Sequence, residues 1–430
     1  MLGDKMRKYR NDDIISQKKR LYNLYFPFFL AAVVFRLFIT LIRPYEIDMT
    51  GYVTWSHYLA SYGPNRFYNG SGYHVVYAPF FIYFLWFTGE LAQAFSLSTA
   101  ATAYIIKFWS VLSELLGSFL IIKLAEKHNR LKEGYLAALL YFVNPGVFMN
   151  SSVWGQFDSV PAAMLLGVLL LFEYKKPNLG ALLFLVAVLT KPQSGLLLPV
   201  VLYLYFRDLR LDKHYIRRIS TGLLAGIIVY LVIVLPFYSP TEKAGSMPRF
   251  LDPFYWLFDL YFRSIQDYPY ATANAFNFWT LAGGQIQPDT MPFLGLSYLW
   301  WGNILLAAGI IYAFVCILKS RASFHSVSYF SFLVLFTSFM FMTRMHERYL
   351  LPAIIFITVC CMFEKRHLLV AMTLSICVFF NQLYIYIISF DNTYWVDRWD
   401  PASLIIAGFT LAVYCVSVFN GYRLFIKRNT

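Results

Sequence analysis

The sequence predicts an all-α polytopic membrane protein, a bundle of about 12 transmembrane helices with interfacial helices in its outer loops. Three observations carry this. Of 430 residues, 59% are hydrophobic and 14% charged, whereas soluble domains carry roughly 25% charged residues. The 42 Phe and 33 Tyr add more apolar surface than a water-soluble chain can cover with so few charges. The net charge of +13 gathers in short loops between apolar runs, the pattern of cytoplasmic loops rather than of a nucleic-acid surface. Composition excludes a disordered chain, a collagen-like fibre and a disulfide-stapled module. The five cysteines (Cys316, Cys360, Cys361, Cys377, Cys415) lie in apolar runs and offer no zinc spacing.

The chain opens with a cytoplasmic tail, 1–20, holding Lys5, Arg7, Lys8, Arg10, Lys18, Lys19 and Arg20. The apolar run at 21–42 is too long for a signal-peptide core. It ends at Arg43-Pro44 without a small-residue cleavage site, so it reads as an uncleaved first span with the N-terminus inside. Further apolar segments follow near 77–95, 104–124, 134–150, 158–174, 178–190, 193–206, 218–238, 296–318, 326–343, 349–363, 367–390 and 402–424. Several fall short of the ~20 residues of a full crossing, which predicts tilted or half-buried helices. If 77–95 crossed as well, the basic loops 127–132 and 207–218 would face outward. If it lies in the interface or re-enters, every basic loop falls inside and both termini are inside. Its Pro79, Gly89 and Glu90 suit that second arrangement. The chain then divides into a membrane module at 21–238 with a first outer loop at 43–103, a long outer loop at 239–295, and C-terminal helices at 296–430. Long aromatic outer loops of this kind are usually working parts. No internal repeat is visible.

Four places carry chemistry. Glu46-Ile-Asp48 opens the first outer loop, and two carboxylates at i and i+2 there suit a proton, a cation or a sugar hydroxyl. Tyr52, Trp55, Tyr58 and Tyr62 follow at helical spacing, as in a helix lying in the interface. Trp154-Gly-Gln156-Phe-Asp158 at a second outer turn combines a stacking face with two hydrogen-bonding groups, although Asp158 also suits a helix cap. Lys191, in Thr190-Lys-Pro-Gln193, needs an anion at membrane depth. Asp158 and a lipid phosphate are both candidates, and snorkelling at a helix end is the plain alternative. Arg344-Met-His346-Glu347-Arg348-Tyr349 is the densest charged cluster outside the basic loops, and its arginines and histidine suit a phosphate clamp. Metal ligation by the adjacent His346 and Glu347 is weaker, and no metal cage or cofactor motif is present. Glu114, with Lys107 two turns before it, reads as part of a buried structural pair involving Arg36.

The order of these words resembles the GT-C membrane glycosyltransferases. Asp48…Trp55…Phe67-Tyr68…Tyr77-Ala-Pro-Phe80 is followed by Asn144-Pro145…Trp154-Gly-Gln-Phe-Asp158 and Leu189-Thr-Lys-Pro-Gln193. Then come Tyr268-Pro-Tyr270…Asn274-Ala-Phe-Asn-Phe-Trp279 and His346-Glu-Arg-Tyr349. Together, over about residues 22–365, they are similar to bacterial relatives of the second mannosyltransferase of glycosylphosphatidylinositol-anchor assembly. The resemblance implies inverting transfer of a hexose, mannose first, from a polyprenyl-phosphate sugar to a hydroxyl on a glycan, lipid or protein outside the cytoplasm. It implies a multi-pass protein of a bacterial plasma membrane, with the site on its outer face and no metal or nucleic acid involved. The first-loop acid would be the base. This chain has Glu-x-Asp where the family pattern has two aspartates, so Asp48 and Glu46 are both candidates. Lys191, Arg344, Arg348 and His346 are the candidates for the donor phosphate. Trp154, Gln156, Asp158, Asn274 and Trp279 are those for sugar or acceptor. The competing reading is a multi-pass transporter or lipid-linked-sugar flippase. The absence of a two-half repeat and the gathering of polar residues at the outer face weigh against it.

Overall fold

A computed structural model describes residues 2–209, 213–240 and 248–427, without the side chains of 2–15 and 17. Lys5, Arg7, Lys8 and Arg10 therefore lie outside the described side chains. So do residues 210–212 of the basic loop and 241–247 of the second outer loop.

The elements follow the apolar segments closely. Helix α1 (Leu2–Ile39) joins the basic tail and the first span without a break. Helices α2 (Glu46–Tyr62), α3 (Phe67–Gly70) and α4 (Pro79–Ala94) fill the first outer loop. Then come α5 (Thr99–Lys127) and α6 (Leu131–Phe142). Next, α7 (Pro145–Phe148) runs into a π-helical turn at Met149–Trp154. Helices α8 (Ser159–Glu173) and α9 (Pro177–Thr190) precede a 3-10 turn at Pro192–Leu197 and α10 (Leu198–Leu209). After α11 (Tyr215–Val234), the second outer loop holds α12 (Asp252–Gln266), α13 (Phe278–Leu281) and a two-stranded hairpin of β1 (Pro292–Phe293) and β2 (Leu296–Ser297). Helices α14 (Tyr298–Lys319), α15 (Phe324–Phe341), α16 (Leu351–Cys360), α17 (Arg366–Ile388) and α18 (Pro401–Gly421) complete the bundle.

Of the segments that suggested about 12 crossings, seven helices among the described residues are long and apolar enough to cross alone. The bent pair of α6 and the stretch Pro145–Trp154 makes an eighth. Helices α8, α9 and α16 are shorter apolar helices. At 1.5 Å per residue, 10–15 residues fall well below the ~30 Å hydrocarbon core. Helices α8 and α16 are packed inside protein instead, while α9 buries one side and keeps Leu179 exposed. This is a multi-pass membrane protein.

Helix α15 is apolar on every side and forms the axis of the bundle, with 89% of its span window buried, against 11% for α1 and 17% for α11. Phe332, Phe336, Ile355, Leu166 and Tyr141 meet around it in the largest core cluster. Its serines bond back along their own helix, Ser331 to the Val327 carbonyl and Ser338 to that of Val334. Helix α4, 16 residues long, is not among the candidate spans. It lies against α2 at Gly89, where a Cβ would sit 1.9 Å from the Ser56 carbonyl oxygen. Charge separates the two ends of the bundle. At one end Lys18 pairs with Glu126, Arg130 reaches the Met362 carbonyl and His128 stacks on Phe324. At the other end lie the loops that follow α1 and α15.

Candidate active site

The site is built on the turn after α1. The Tyr45 amide donates to the Trp154 carbonyl at 3.0 Å, and its ring stacks on Trp154 at 4.2 Å between centroids. Tyr386 donates to the Arg43 carbonyl at 2.6 Å. The N-terminus of α2 is thus fixed to the turn that precedes α8. Glu46 and Asp48 both fall in the first turn of α2, and residues at i and i+2 point to different sides of a helix. The two carboxylates therefore do not share a site. Glu46 is exposed and pairs with Arg43. Asp48 faces inward, where its Oδ2 accepts from Trp154 Nε1 at 2.8 Å and from Gln156 Nε2. No hydrogen bond to its Oδ1 is found among the described residues.

The turn that grips Asp48 rests on a buried polar floor. The π turn runs through Trp154 and ends at Gly155, φ +94°, where a Cβ would meet Met49 Cε at 2.4 Å. Beneath it Arg36, fully buried, pairs with the equally buried Glu114 and donates to Ser152 Oγ (3.0 Å), Ser151 Oγ (2.7 Å) and the Phe142 carbonyl (2.8 Å). Glu114 also accepts from Ser159 at 2.6 Å, and Ser110 donates to the Gln156 carbonyl at 2.8 Å. The expected Arg36–Glu114 pair is present. Lys107 is not part of it and instead caps the end of α1 through the Thr40 and Ile42 carbonyls.

Two cations face Asp48 across a cavity of about 260 Å³, lined also by Tyr52, Trp55, Tyr77, His74, Asp267 and Tyr349. Lys191, at the break between α9 and the 3-10 turn, pairs with Asp158 and lies 5.0 Å from the Tyr349 ring centre. Asp158 makes no side-chain cap to α8; its other oxygen accepts from Asn150 at 3.2 Å. Arg348 pairs with Glu347, and its buried Nε has no hydrogen-bond partner among the described residues. Burial raises the Glu347 carboxyl pKa against the pull of Arg348. Burial first, then Arg348 and Lys191, holds His346 well below the ordinary histidine value. At neutral pH His346 is therefore uncharged and cannot serve as a cationic clamp. It sits edge-on to Tyr268 at 4.7 Å.

A second chamber of about 450 Å³ adjoins the first, sharing Pro192, Gln193, Tyr268, His346 and Tyr349, and is walled further by Leu196, Leu299 and Met342. Arg344 opens onto this chamber rather than the Asp48 cavity. It donates to Asp289 at 2.7 Å and to the Ile265 carbonyl at 2.9 Å. Its partner is neither Asp158 nor Glu347.

The structure thus brings Asp48, Lys191, His346 and Arg348 into one cavity, with Asp158 behind Lys191. It departs from the expected sugar set. Trp154 and Gln156 are each 1% exposed and serve Asp48, while one face of Trp154 is taken by Tyr45. Asn274 is buried, bonding the Tyr394 carbonyl, Gln285 and the Val396 amide. Trp279 is fully buried and donates to the Phe341 carbonyl. Both close the second outer loop onto the bundle, because amide and indole groups out of water must find partners. Sequence reasoning missed Asp267 and Asp289, quoted Tyr77, Gln193 and Tyr268 in motif words without giving them a site role, and placed Tyr52 and Trp55 on an interfacial helix rather than in the cavity. A paired acid such as Asp289, 54 residues from Thr343 and 55 from Arg344, leaves no local signal.

No protein-family profile matches the chain, and no curated protein matches it. Its structure does have counterparts. It matches ArnT from Cupriavidus metallidurans bound to undecaprenyl phosphate with TM-score 0.52 and 15% identity, over 93% of this chain and 77% of that one. The same protein in the apo state matches with TM-score 0.50 over the same shares. The chain shares the fold of that protein. In this bundle the Asp48 cavity lies at the end opposite the basic loops, between the segment after α1, the Lys191 break and the segment after α15.

Proposed function

We propose that this chain is a membrane glycosyltransferase that moves a hexose, mannose first, from a polyprenyl-phosphate donor to a hydroxyl acceptor outside the cytoplasm. The observation that carries it is the facing of Asp48 against Arg348 and Lys191 across one cavity. ArnT, which shares the fold, is bound to undecaprenyl phosphate. The charge partition of the loops supports placing the cavity on the outer face, with the N-terminus inside.

The chemistry needs three things. A sugar 1-phosphate is already activated, so the acceptor oxygen must be made nucleophilic, aimed in line, and the departing phosphate stabilised. Asp48 is held by two donors on Oδ2, which leaves Oδ1 to take the acceptor proton. The acceptor oxygen then bonds the anomeric carbon as the bond from that carbon to the phosphate oxygen breaks. The electron pair leaves on the phosphate, and attack from the opposite side inverts the anomeric centre. The open Nε of Arg348 is the donor best suited to the phosphate. Lys191 and Arg344 are likewise paired, with Asp158 and Asp289, but neither keeps an unpartnered buried donor among the described residues, so their roles are weaker. The acceptor is a glycan, lipid or protein. Against a transporter stands the gathering of these groups at one end of the bundle, while the deepest charges, Arg36 and Glu114, satisfy each other.

The test is to incubate the purified protein with a panel of polyprenyl-phosphate sugars and measure released lipid phosphate. Release with one sugar, abolished by Asp48→Asn, is the expected result. Movement of intact donor between leaflets without release would sink the reading in favour of a flippase.

A further inference from the structure

The end of the bundle away from Asp48 carries a second feature, independent of the proposed transfer. Helices α17 and α18 run antiparallel and enclose a groove of about 670 Å³ whose walls are almost wholly apolar, including Leu369, Ile376, Phe380, Ile405, Phe409 and Val416. The groove opens outward, and all six of these side chains are between 48% and 69% exposed. It extends roughly 16 Å along α17, from Leu369 to Phe380, and roughly 21 Å along α18, from Ala402 to Val416, at 1.5 Å per residue, between half and about two-thirds of the ~30 Å hydrocarbon core.

The groove does not end in open apolar surface. One helical turn before Leu369 stands Arg366, and two turns beyond Val416 stands Arg423. These two, with Lys427, Leu424 and Glu364, line a polar hollow of about 420 Å³ where the two helices end. Arg366 is 3.9 Å from Glu364, at the limit of pairing, and Arg423 lies over the Phe419 ring at 5.6 Å. Arg366 and Arg423 against Glu364, the one carboxylate among these lining residues, leave the hollow positive at the end of the apolar slot. Basic pockets between helices at the inner membrane surface suit anionic lipid head groups, each Lys or Arg contributing about 1 kcal/mol.

We propose that α17 and α18 hold one anionic phospholipid from the leaflet opposite the Asp48 cavity, its acyl chain in the groove and its phosphate at Arg366 and Arg423. Charge complementarity at the mouth chooses this occupant over a second copy of the chain, which would have no need of the two arginines, and over a zwitterionic lipid, which would not answer them.

The experiment is native mass spectrometry of the full-length protein, released from detergent with phosphatidylglycerol or phosphatidylcholine added. One phosphatidylglycerol per chain should persist under activation that strips phosphatidylcholine. The exposed double substitution Arg366→Gln/Arg423→Gln should weaken its retention on the order of thirty-fold, the product of two head-group contacts. Ala412→Trp, which fills the groove and leaves the cations in place, should also release it. Lys176→Gln, a basic-end control outside the groove, should leave retention unchanged. Equal retention of both lipids, unchanged binding in the double variant, an equal loss in Lys176→Gln, or a lipid-free dimer sensitive to Ala412→Trp would each overturn the proposal.

Discussion

Arg36 and Arg348 are both buried arginines paired to a buried glutamate, yet they stand in opposite states. Arg36 spends Nε on Ser152, Nη1 on the Phe142 carbonyl and Nη2 on Glu114 and Ser151. Arg348 has Glu347 on Nη1 and nothing on a buried Nε, and it lines a cavity. An unmet buried donor costs about 1–3 kcal/mol. Beside a cavity, such a donor is open to an incoming acceptor. The saturated arginine is structural; the unsaturated one is the arginine that the proposed chemistry uses. Burial and charge alone do not separate them.

Several substitutions probe that distinction. The largest effect is expected for Asp48→Asn, the carboxylate facing the open arginine. Turnover should fall about 10²–10⁴-fold, the scale of general-base catalysis, with the thermal unfolding temperature unchanged. A loss of stability matching the loss of turnover would put Asp48 on the structural side instead. At the saturated pair, Glu114→Ala strands Arg36 in the interior and should cost about 3–5 kcal/mol. Thermal unfolding checks this, and turnover per folded molecule should move far less than in Asp48→Asn.

Arg348→Lys keeps the charge beside Glu347 and removes the open Nε donor. Turnover should drop about 10–100-fold with little change in unfolding temperature, the loss of one charge-directed hydrogen bond. Unchanged turnover would erase the contrast between the two arginines. A smaller effect concerns His346. Burial first, then Arg348 and Lys191, holds its folded pKa well below the ordinary histidine value of 6.5, so the unfolded chain binds the extra proton as pH falls through that value. Stability contributed by neutral His346 is therefore present above about pH 6.5 and lost on acidification. His346→Gln should flatten that part of the stability–pH curve relative to the parent. The smallest effect belongs to Glu46→Gln, on an exposed pair with Arg43, which should shift stability by less than about 0.5 kcal/mol and leave turnover near normal.

Much of this was readable in the chain, but unevenly. Hydropathy marks nearly every membrane helix because apolar runs have one stable home. It does not reveal that α8, α9 and α16 are too short to cross alone, or that α8 and α16 lie packed within the bundle. The Glu-x-Asp word marks the site, yet both acids occupy one helical turn, and only the docking of Tyr45 on Trp154 turns Asp48 inward and Glu46 out. The Trp154 turn and the Asn274–Trp279 stretch read alike as aromatic and amide-rich. One converges on Asp48, and the other is consumed by backbone groups of its own scaffold.

The sequence by itself determined the membrane class, the basic end, and the short list of candidates containing Asp48, Lys191 and Arg348. These follow from composition, charge and local spacing, which act over a few residues. Only the tertiary structure decided which hydrogen-bonding groups are used up and which are left open. Arg36 meets Glu114 across 78 residues, Arg344 meets Asp289 across 55, and Trp154 meets Asp48 across 106. Desolvation obliges every buried polar group to find a partner, but the partner is chosen by three-dimensional packing, and no local pattern in the chain encodes it.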